Sequence, residues 1–248
     1  METTTTNTST NTSKYKCLSG SALKMIALIT MMIDHVGSVL LSQAAFANRP
    51  FISIGSHALT LYFIVRKIGR LSFPIYCFLI TEGYIHTHDR KRYGINLLIF
   101  ALISEIPWNY EHTGRLFYSS QNVFFTLFLG YLGICVYERY KDNWALQLRY
   151  LAILFALSFI LRCDYGCKGF ALIVFIYIMR DKKVLQAILG SCFLSSAYVA
   201  IFAFIPINMY NGERGFIKGK AAKYAFYLIY PLHIFILYLI RLNTFGYN

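Results

Sequence analysis

The sequence predicts an all-α fold, a polytopic transmembrane helix bundle of about eight spans (roughly seven to ten) at ~20 residues per crossing. Hydrophobic residues make up 57% of the chain and charged residues only 14%, and the mean hydropathy is +0.50. These values are typical of an integral membrane protein that lies in a lipid bilayer. The formal charge of +13 does not indicate nucleic acid, because Lys and Arg fall largely in short clusters between apolar runs.

The chain divides into a tail and one domain. Residues 1–17 are predicted to form a disordered polar N-terminal tail, since the stretch begins METTTTNTSTNTS and has almost no hydrophobic residues. Residues 18–248 are predicted to form a single transmembrane domain. The first apolar segment, roughly 23–46, is too long for a cleavable signal peptide, so we expect it to remain in the membrane as the first span.

The other spans follow from apolar runs that are separated by charge clusters. The stretch 51–86 is ambiguous: a short helix over 51–65 and an apolar helix over 71–85, one long helix, or a re-entrant pair. Its end, His86 to Arg92, is interpreted as a solvated cytosolic loop rather than a metal site. Further spans are predicted near 93–109, 122–138, 145–162, 168–180, 184–206 and 224–242.

The predicted topology contains one conflict. With the N-terminus in the cytosol and 51–86 as one crossing, the loops 86–92, 138–143 and 180–183 lie inside, and each carries Lys or Arg. The loop 207–223 would then lie outside, although it has four basic residues, which contradicts the positive-inside rule. We interpret this as a miscounted span, with 184–206 as the suspect; the alternative is that the loop binds an anion.

Lys24 and His35 are the most informative pair in the first span. They are eleven residues apart, about three helical turns, so they share one face roughly 16 Å apart along the axis. This places a lysine at the membrane edge and a histidine near the bilayer midplane, where ionisable groups are costly and usually functional. The spacing suits a site that connects a cytosolic anionic cofactor to chemistry inside the membrane.

Polar residues recur through the other predicted spans, more than interhelical contacts require. They predict a buried active or transport site and comprise Asp34, His35, Arg70, Glu82, Glu105, Asn122, Asp164 and His233.

Asp34 and His35 are not expected to form a dyad, because adjacent helical residues point about 100° apart. We expect Asp34 to pair with Arg70 or a backbone group. The carboxylate that orients His35 should then come from another helix, from Glu82, Glu105 or Asp164. Elsewhere in the chain, Cys163 and Cys167 are interpreted as free thiols.

Six motifs, in order along the chain, resemble the TraX family. They are DHVG (34–37), IGRLSFPIYCFLITEGYIHT (68–87), KRYGINLLIFALISEIPW (91–108), NVFFTLFLG (122–130), DYGCKG (164–169) and YPLH (230–233). The namesake of that family is an inner-membrane protein that acetylates the amino terminus of conjugative pilin. The basic residue followed eleven positions later by histidine also resembles the wider transmembrane acyltransferases. The resemblance therefore implies a multi-pass protein of the bacterial inner membrane that uses acetyl-CoA as donor and a histidine as catalytic residue.

Acyl transfer from a thioester assigns roles to the polar residues. His35 would be the general base or, alternatively, an acyl-carrying nucleophile. Lys24 and Arg70 would hold the CoA phosphates. A second group of residues would complete the site: Asp34, Glu82 and Asp164 as further catalytic residues, Asn122, Thr126 or Tyr230 on the donor's oxyanion, and His233 positioning the acceptor. No metal is expected.

Two readings from other classes remain open. A small proton-coupled secondary transporter or channel would explain the intramembrane acids and histidines, although the two halves of the sequence show no inverted repeat. A structural subunit of a secretion or conjugation assembly is the third reading. The acceptor also stays open, between a pilin N-terminus, an envelope glycan and a secreted peptide.

Overall fold

The computed structural model describes residues 15–54 and 57–246, so most of the predicted tail, residues 1–14, lies outside the described residues. The fold is mostly helical, as predicted. Its helices are α1 Gly20–Val36, α2 Leu61–Gly69, α3 Ser72–His86, α4 Arg90–Thr113, α5 Val123–Arg139, α6 Trp144–Ile160, α7 Gly166–Ile178, α8 Lys183–Cys192, α9 Ala197–Ala200, α10 Phe204–Asn208 and α11 Lys220–Phe245. Two strands, β1 Pro50–Ile54 and β2 His57–Thr60, lie between α1 and α2. A π-helical turn, Gly37–Leu41, extends α1, and short 3-10 turns cover Ala45–Asn48 and Ile201–Ala203.

Polar side chains fix where several helices begin. Ser19 caps α1, Asp89 caps α4, Asn122 caps α5 and Asn143 caps α6, and each side-chain oxygen accepts a backbone N–H of the first turn. Such caps satisfy donors that have no partner inside the helix. They explain why these helices start just after a polar residue.

Glycines allow close packing in the centre of the bundle. A Cβ at Gly130 would overlap the side chain of Ile173, and one at Gly133 would overlap Val174 and Phe170. The absence of these side chains on α5 lets α7 approach closely, which is the usual role of small residues in membrane helix packing.

By contrast, α6 lies at the periphery, and Ser158 is its only buried residue. Leu148 is 61% and Phe159 71% exposed, an apolar surface suited to lipid. Within the described chain, two helices are long and apolar enough to span a membrane by length and composition, Gly20–Leu41 and Lys220–Phe245. Together with the short apolar helices, they indicate a membrane protein.

The helices of the bundle run between two ends. The starts of α1, α4 and α11 lie together, since Lys24 and Tyr93 are both close to Lys223. The ends of α5 and α7 join them, because Tyr177 donates to Glu138. We call this the basic end; its Lys and Arg residues are Lys16, Lys24, Arg90, Lys91, Arg92, Arg139, Lys141, Arg180, Lys182, Lys183, Arg214, Lys218, Lys220 and Lys223. The opposite end, where α4 and α11 finish, is called the far end.

The prediction of one continuous span over 184–206 is wrong. In the structure α8 starts at the basic end, where Lys183 lies near Lys16. The chain then turns and returns through α9 and α10, and the Leu18 N–H donates to the Met209 carbonyl at that same end. Ten residues in α8 give only about 15 Å of helix, too short for a crossing. The loop 207–223 therefore lies with the other basic loops, and the predicted conflict in topology disappears.

The short helix predicted over 51–65 is also wrong. Residues 50–54 and 57–60 form an antiparallel pair of strands, with Ser53 opposite Ala58, and α2 starts only after Thr60, which caps it. The run Phe51-Ile-Ser-Ile contains an aromatic residue and two β-branched isoleucines, a composition that favours strand over helix.

Candidate functional site

One cavity of about 730 Å³ runs through the bundle from the basic end to the far end. This volume is in the usual range for a small-molecule site. Seven of the residues predicted from the sequence line it: Lys24, Asp34, His35, Arg70, Glu82, Asp164 and Tyr230. The structure therefore brings together most of the predicted set, drawn from helices that are far apart in sequence.

His35 lines the cavity and pairs with a buried histidine behind it, His233. The Nδ1 atom of His35 lies 2.5 Å from Nε2 of His233, and the two rings are stacked at a centroid distance of 4.8 Å. The other ring nitrogen of His233, Nδ1, lies 2.7 Å from the Ile229 carbonyl oxygen. The prediction that a carboxylate from another helix orients His35 is wrong, because a histidine of α11 occupies that position.

These contacts determine which nitrogens carry protons when both rings are neutral. A carbonyl oxygen only accepts, so Nδ1 of His233 must be the donor and its Nε2 the acceptor. Nδ1 of His35 must then donate to that Nε2. The remaining nitrogen of His35, Nε2, keeps its lone pair. His35 lines the cavity, so this arrangement leaves it a basic nitrogen that is free to take a proton there.

Asp34 pairs with a different arginine from the one predicted. Its Oδ2 lies 2.7 Å from Nη1 of Arg66, and the same nitrogen donates to the Asp34 carbonyl at 3.2 Å. Arg66 and Asp34 meet because α2 packs across α1, and Gly69 permits the contact: a Cβ there would overlap the Asp34 carboxyl group. Arg70 is close enough to act on Asp34 electrostatically, but Arg66 makes the bond. This ion pair fixes the helix turn that carries His35.

Three cations meet where the cavity reaches the basic end. Lys24 lies near Arg214 and Lys223, and all three line the cavity. Among the described residues, none of the three makes an ion pair with a carboxylate. Like charges in partly buried positions repel, so such a cluster stores a cost that a bound anion would remove.

The segment that carries Arg214 is held in place by the start of α1. Gly20 N–H donates to the Glu213 carbonyl, and Ser21 donates to the Arg214 carbonyl from both its backbone N–H and its hydroxyl. The same hydroxyl accepts the Ile217 N–H at 2.8 Å. These bonds fix a loop of a dozen residues next to Lys24, which sequence spacing alone does not reveal.

Glu82 lies at the basic end and is not near His35. Its Oε2 is 3.2 Å from Nε2 of His86, and it interacts with the Tyr210 hydroxyl. Burial, followed by the neighbouring Glu82 charge, raises the pKa of Tyr210. Glu82 therefore ties α3 to the 209–219 segment, and the prediction that it could orient His35 is wrong.

Two predicted oxyanion residues lie away from the cavity. Nδ2 of Asn122 donates to Glu105 at 2.5 Å and to the Ala101 carbonyl at 2.8 Å, while its backbone N–H also donates to Glu105. Glu105 and Asn122 thus join α4 to the start of α5 as a buried cap, a structural role. Thr126 is fully buried in helix packing against Gly169, and neither it nor Asn122 lines the cavity.

Tyr230 has the better position for an oxyanion donor. It lines the cavity, and its ring contacts those of both His35 and His233. Its buried hydroxyl makes no hydrogen bond of normal geometry within the described residues, although the Val123 backbone lies nearby. A buried hydroxyl without a full partner is uncommon, and the ring that carries it contacts His35.

The far end of the cavity holds carboxylates, aromatic rings and the cations Arg66 and Arg70. Arg70 lies near Asp34 and Asp164, away from Lys24, so the prediction that Lys24 and Arg70 together hold the CoA phosphates is wrong. Oε2 of Glu111 lies 2.5 Å from Nδ1 of His112, and its Oε1 lies 3.6 Å from Arg241. The His112 ring packs between Trp108 and Tyr118 at centroid distances of 3.9 and 4.9 Å.

Asp164 joins this end from the turn between α6 and α7. It lines the cavity and is exposed. Burial raises the pKa of Asp164 to about 6, against the opposing effect of the nearby His112 and Arg70 charges. Asp164 is thus a carboxylate at neutral pH that titrates just below it.

Among the lining residues that sequence reasoning missed are Arg66, Glu111, His112, Arg214 and Lys223. Glu111 and His112 lie just beyond the predicted end of their span, since α4 continues to Thr113. Arg214 and Lys223 belong to the loop that the predicted topology placed on the wrong side. The excess of basic residues in that loop was the available signal.

Comparisons with known proteins agree with the motifs. The TraX family model, described as TraX protein, matches residues 19–241. The chain is also 31% identical to the probable fimbrial assembly protein FimC, serogroup H1, of Dichelobacter nodosus over 247 residues, which cover 87% of this chain and 92% of that protein. No solved structure matches the chain. The chain therefore belongs to the TraX family.

Proposed function

We propose that this member of the TraX family is an integral membrane acetyltransferase. It moves an acetyl group from acetyl-CoA to an amine of an exported acceptor, with His35 as the general base. The observation that carries the proposal is the cavity lined by His35, by the cations Lys24, Arg214 and Lys223 at one end, and by the carboxylates Glu111 and Asp164 at the other. That arrangement suits an anionic donor and a cationic acceptor that approach from opposite ends.

The membrane placement follows from the charge distribution. Seven segments connect the two ends, namely α1, α2 with α3, α4, α5, α6, α7 and α11, while α8 to α10 form a re-entrant hairpin. The basic end would lie in the cytosol, because most of the described Lys and Arg residues are there. The protein would then be a multi-pass protein of the bacterial inner membrane.

The cationic opening fits the donor. Coenzyme A carries three phosphate groups, and Lys24, Arg214 and Lys223 provide three cations with no carboxylate bound to them in the described chain. Lys24 is about 16 Å from His35 along α1, a distance that an extended pantetheine arm would cover. The thioester would therefore reach His35 while the nucleotide stays at the basic end.

His35 then supplies the base. The acceptor ammonium first releases one proton to solvent. The neutral amine nitrogen then attacks the thioester carbonyl carbon and passes a second proton to Nε2 of His35, forming a C–N bond and an oxyanion. The oxyanion collapses, the C–S bond breaks, and the CoA thiolate takes the proton from His35. His233 holds the productive tautomer throughout, and the Tyr230 hydroxyl is placed to donate to the oxyanion.

The acidic opening supports an amine rather than a hydroxyl acceptor. An amine reaches the site as an ammonium ion, which carboxylates and aromatic faces stabilise. Glu111, Asp164 and Trp108 offer these groups at the far end. The relative with a fimbrial assembly name is compatible with a pilin N-terminus as this amine.

The test is a reconstitution in sealed vesicles. Acetyl-CoA is placed on the side of the basic end and a peptide with a free N-terminus on the other, and acetylated peptide is measured. We expect product from the wild type and His88→Ala, an exposed histidine outside the cavity, and a loss of about 100-fold or more for His35→Ala.

Two outcomes would contradict the proposal. Turnover of His35→Ala within about threefold of wild type would remove His35 from the chemistry. If no condition gives acetyl transfer and the vesicles instead show proton-coupled uptake, the protein would be a transporter.

A further inference from the structure

A second site lies at the basic end, on the outer surface of the bundle. It is a groove of about 600 Å³ between α3, α5 and α6. Two arginines line it, Arg90 from the start of α4 and Arg139 from the last turn of α5. Both are exposed, and neither forms an ion pair with a carboxylate of the described residues.

The groove keeps a net positive charge. Its one carboxylate, Glu138, accepts a hydrogen bond from the Tyr177 hydroxyl at 2.7 Å and offsets one of the two arginines. The guanidinium of Arg90 lies over the Tyr84 ring at 4.3 Å, so one face is covered while its N–H edges remain to bind. Planar guanidinium groups held in this way are well suited to phosphate.

The rest of the groove is apolar. Leu132 and Val136 of α5 and Ile153 and Leu154 of α6 form its walls. It continues along α6, the helix with the most exposed apolar surface. At its edge, Tyr140 and Tyr150 stack at 4.9 Å, as aromatic residues do at a membrane interface.

We propose that this groove binds an anionic phospholipid of the cytosolic leaflet. The lipid phosphate would contact Arg90 and Arg139, and an acyl chain would lie between α5 and α6. Basic pockets between membrane helices on the cytosolic side bind anionic headgroups in this way. A free phosphate would use the two arginines but not the apolar walls, so a requirement for both distinguishes the lipid. The proposal rests on the membrane placement proposed above but is independent of acetyl transfer.

The experiment is a thermal unfolding titration of the purified full-length protein in neutral detergent. The probes are phosphatidylglycerol, phosphatidylcholine and inorganic phosphate. The test variant is Arg90→Gln/Arg139→Gln, and the matched control is Lys91→Gln/Arg92→Gln, which removes the same charge from adjacent exposed positions that do not line the groove. Arg139→Gln alone serves if the double variant does not fold.

We expect phosphatidylglycerol to raise the unfolding temperature of wild type and control equally. In the test variant the lipid concentration for half the shift should rise about tenfold. Three results would overturn the lipid site: an unchanged test variant, an equal loss in the control, or an equal shift with inorganic phosphate or phosphatidylcholine. Membrane extraction is measured first: release of the protein by alkaline carbonate would refute the membrane placement instead.

Discussion

The His35–His233 pair gives the sharpest prediction about the proposed reaction. In His233→Asn the short amide still reaches the Ile229 carbonyl, but it no longer reaches Nδ1 of His35. In His233→Gln the amide oxygen takes the position of Nε2, because both atoms lie three bonds from Cβ, and it accepts the same hydrogen bond. The two variants are similar in polarity and differ in whether His35 keeps its acceptor.

The size of the effect follows from the 2.5 Å contact between the rings. As His35 takes a proton, its bond to His233 becomes a bond from a charged donor, and such bonds contribute about 1.5–3 kcal/mol. Losing it only in the transition state lowers turnover roughly ten- to hundred-fold. We therefore expect His233→Asn to lose turnover by this factor, with little change in KM for acetyl-CoA, and His233→Gln to recover most of it.

The assay measures release of CoA thiol and acetylated peptide at matched amounts of folded protein. Thermal unfolding of each variant separates a loss of stability from a loss of orientation, because His233 is buried. Equal turnover in the Asn and Gln variants would refute the reasoning, since it would show that the acceptor on His233 is irrelevant. A change confined to KM would also refute it.

Three further predictions concern the rest of the cavity. Lys24→Glu and Arg214→Glu should each raise KM for acetyl-CoA about tenfold or more with little change in turnover at saturation, because the phosphates bind equally in ground and transition states. Calorimetric titration with CoA checks this. Unchanged CoA binding in both variants would show that the donor does not bind at these residues. Gly69→Ala should destabilise the protein by about 1–3 kcal/mol, since a Cβ would displace the Asp34 carboxyl group from Arg66. Thermal unfolding checks this, with Gly20→Ala, a helical position where an added Cβ meets only ordinary contacts, as the matched control. Burial raises the pKa of Asp164 to about 6, so Asp164 binds a proton more readily in the folded protein than in the unfolded chain. Its contribution to stability therefore falls as pH rises between about 4 and 6. Asp164→Asn should remove this pH dependence of the unfolding temperature, and above pH 6 it should also weaken acceptor binding.

The sequence was most informative where helical periodicity acts within one segment. Lys24 and His35 lie on one face of α1 and line one cavity, as their spacing predicts. The argument against an Asp34–His35 dyad also holds, because each residue has a partner on a different element. These relations need only helix geometry, which a local sequence determines.

Partners on other helices were harder to predict, because they depend on how the helices pack. Asp34 pairs with Arg66 rather than Arg70 because Gly69 brings one particular turn of α2 against α1. A carboxylate was expected beside His35 since carboxylates are its usual partners. The Nε2 atom of His233 accepts a hydrogen bond from His35 equally well. It must be the acceptor because Nδ1 of His233 donates to the Ile229 carbonyl.

The short helices explain the remaining errors. Hydropathy over 184–206 does not distinguish a single crossing from a hairpin that starts and ends at the basic end, because the residues are apolar in either case. The difference lies in the turn between α8 and α9 and in the return of Met209 to Leu18. Because the hairpin returns the chain to the basic end, Arg214 and Lys223 lie next to Lys24. The three cations together form the proposed donor site.

The shape of the cavity also bears on the order of the proposed reaction. A covalent acetyl-histidine would be needed if donor and acceptor had to use the same opening in turn. Here Lys24 and Arg214 lie at one opening and Glu111 and Asp164 at the other, with His35 between them. Both substrates can therefore be bound together, and the acceptor can attack the thioester directly. Nε2 of His35 then needs only to carry a proton from nitrogen to sulfur, which is the task for which its bond to His233 prepares it.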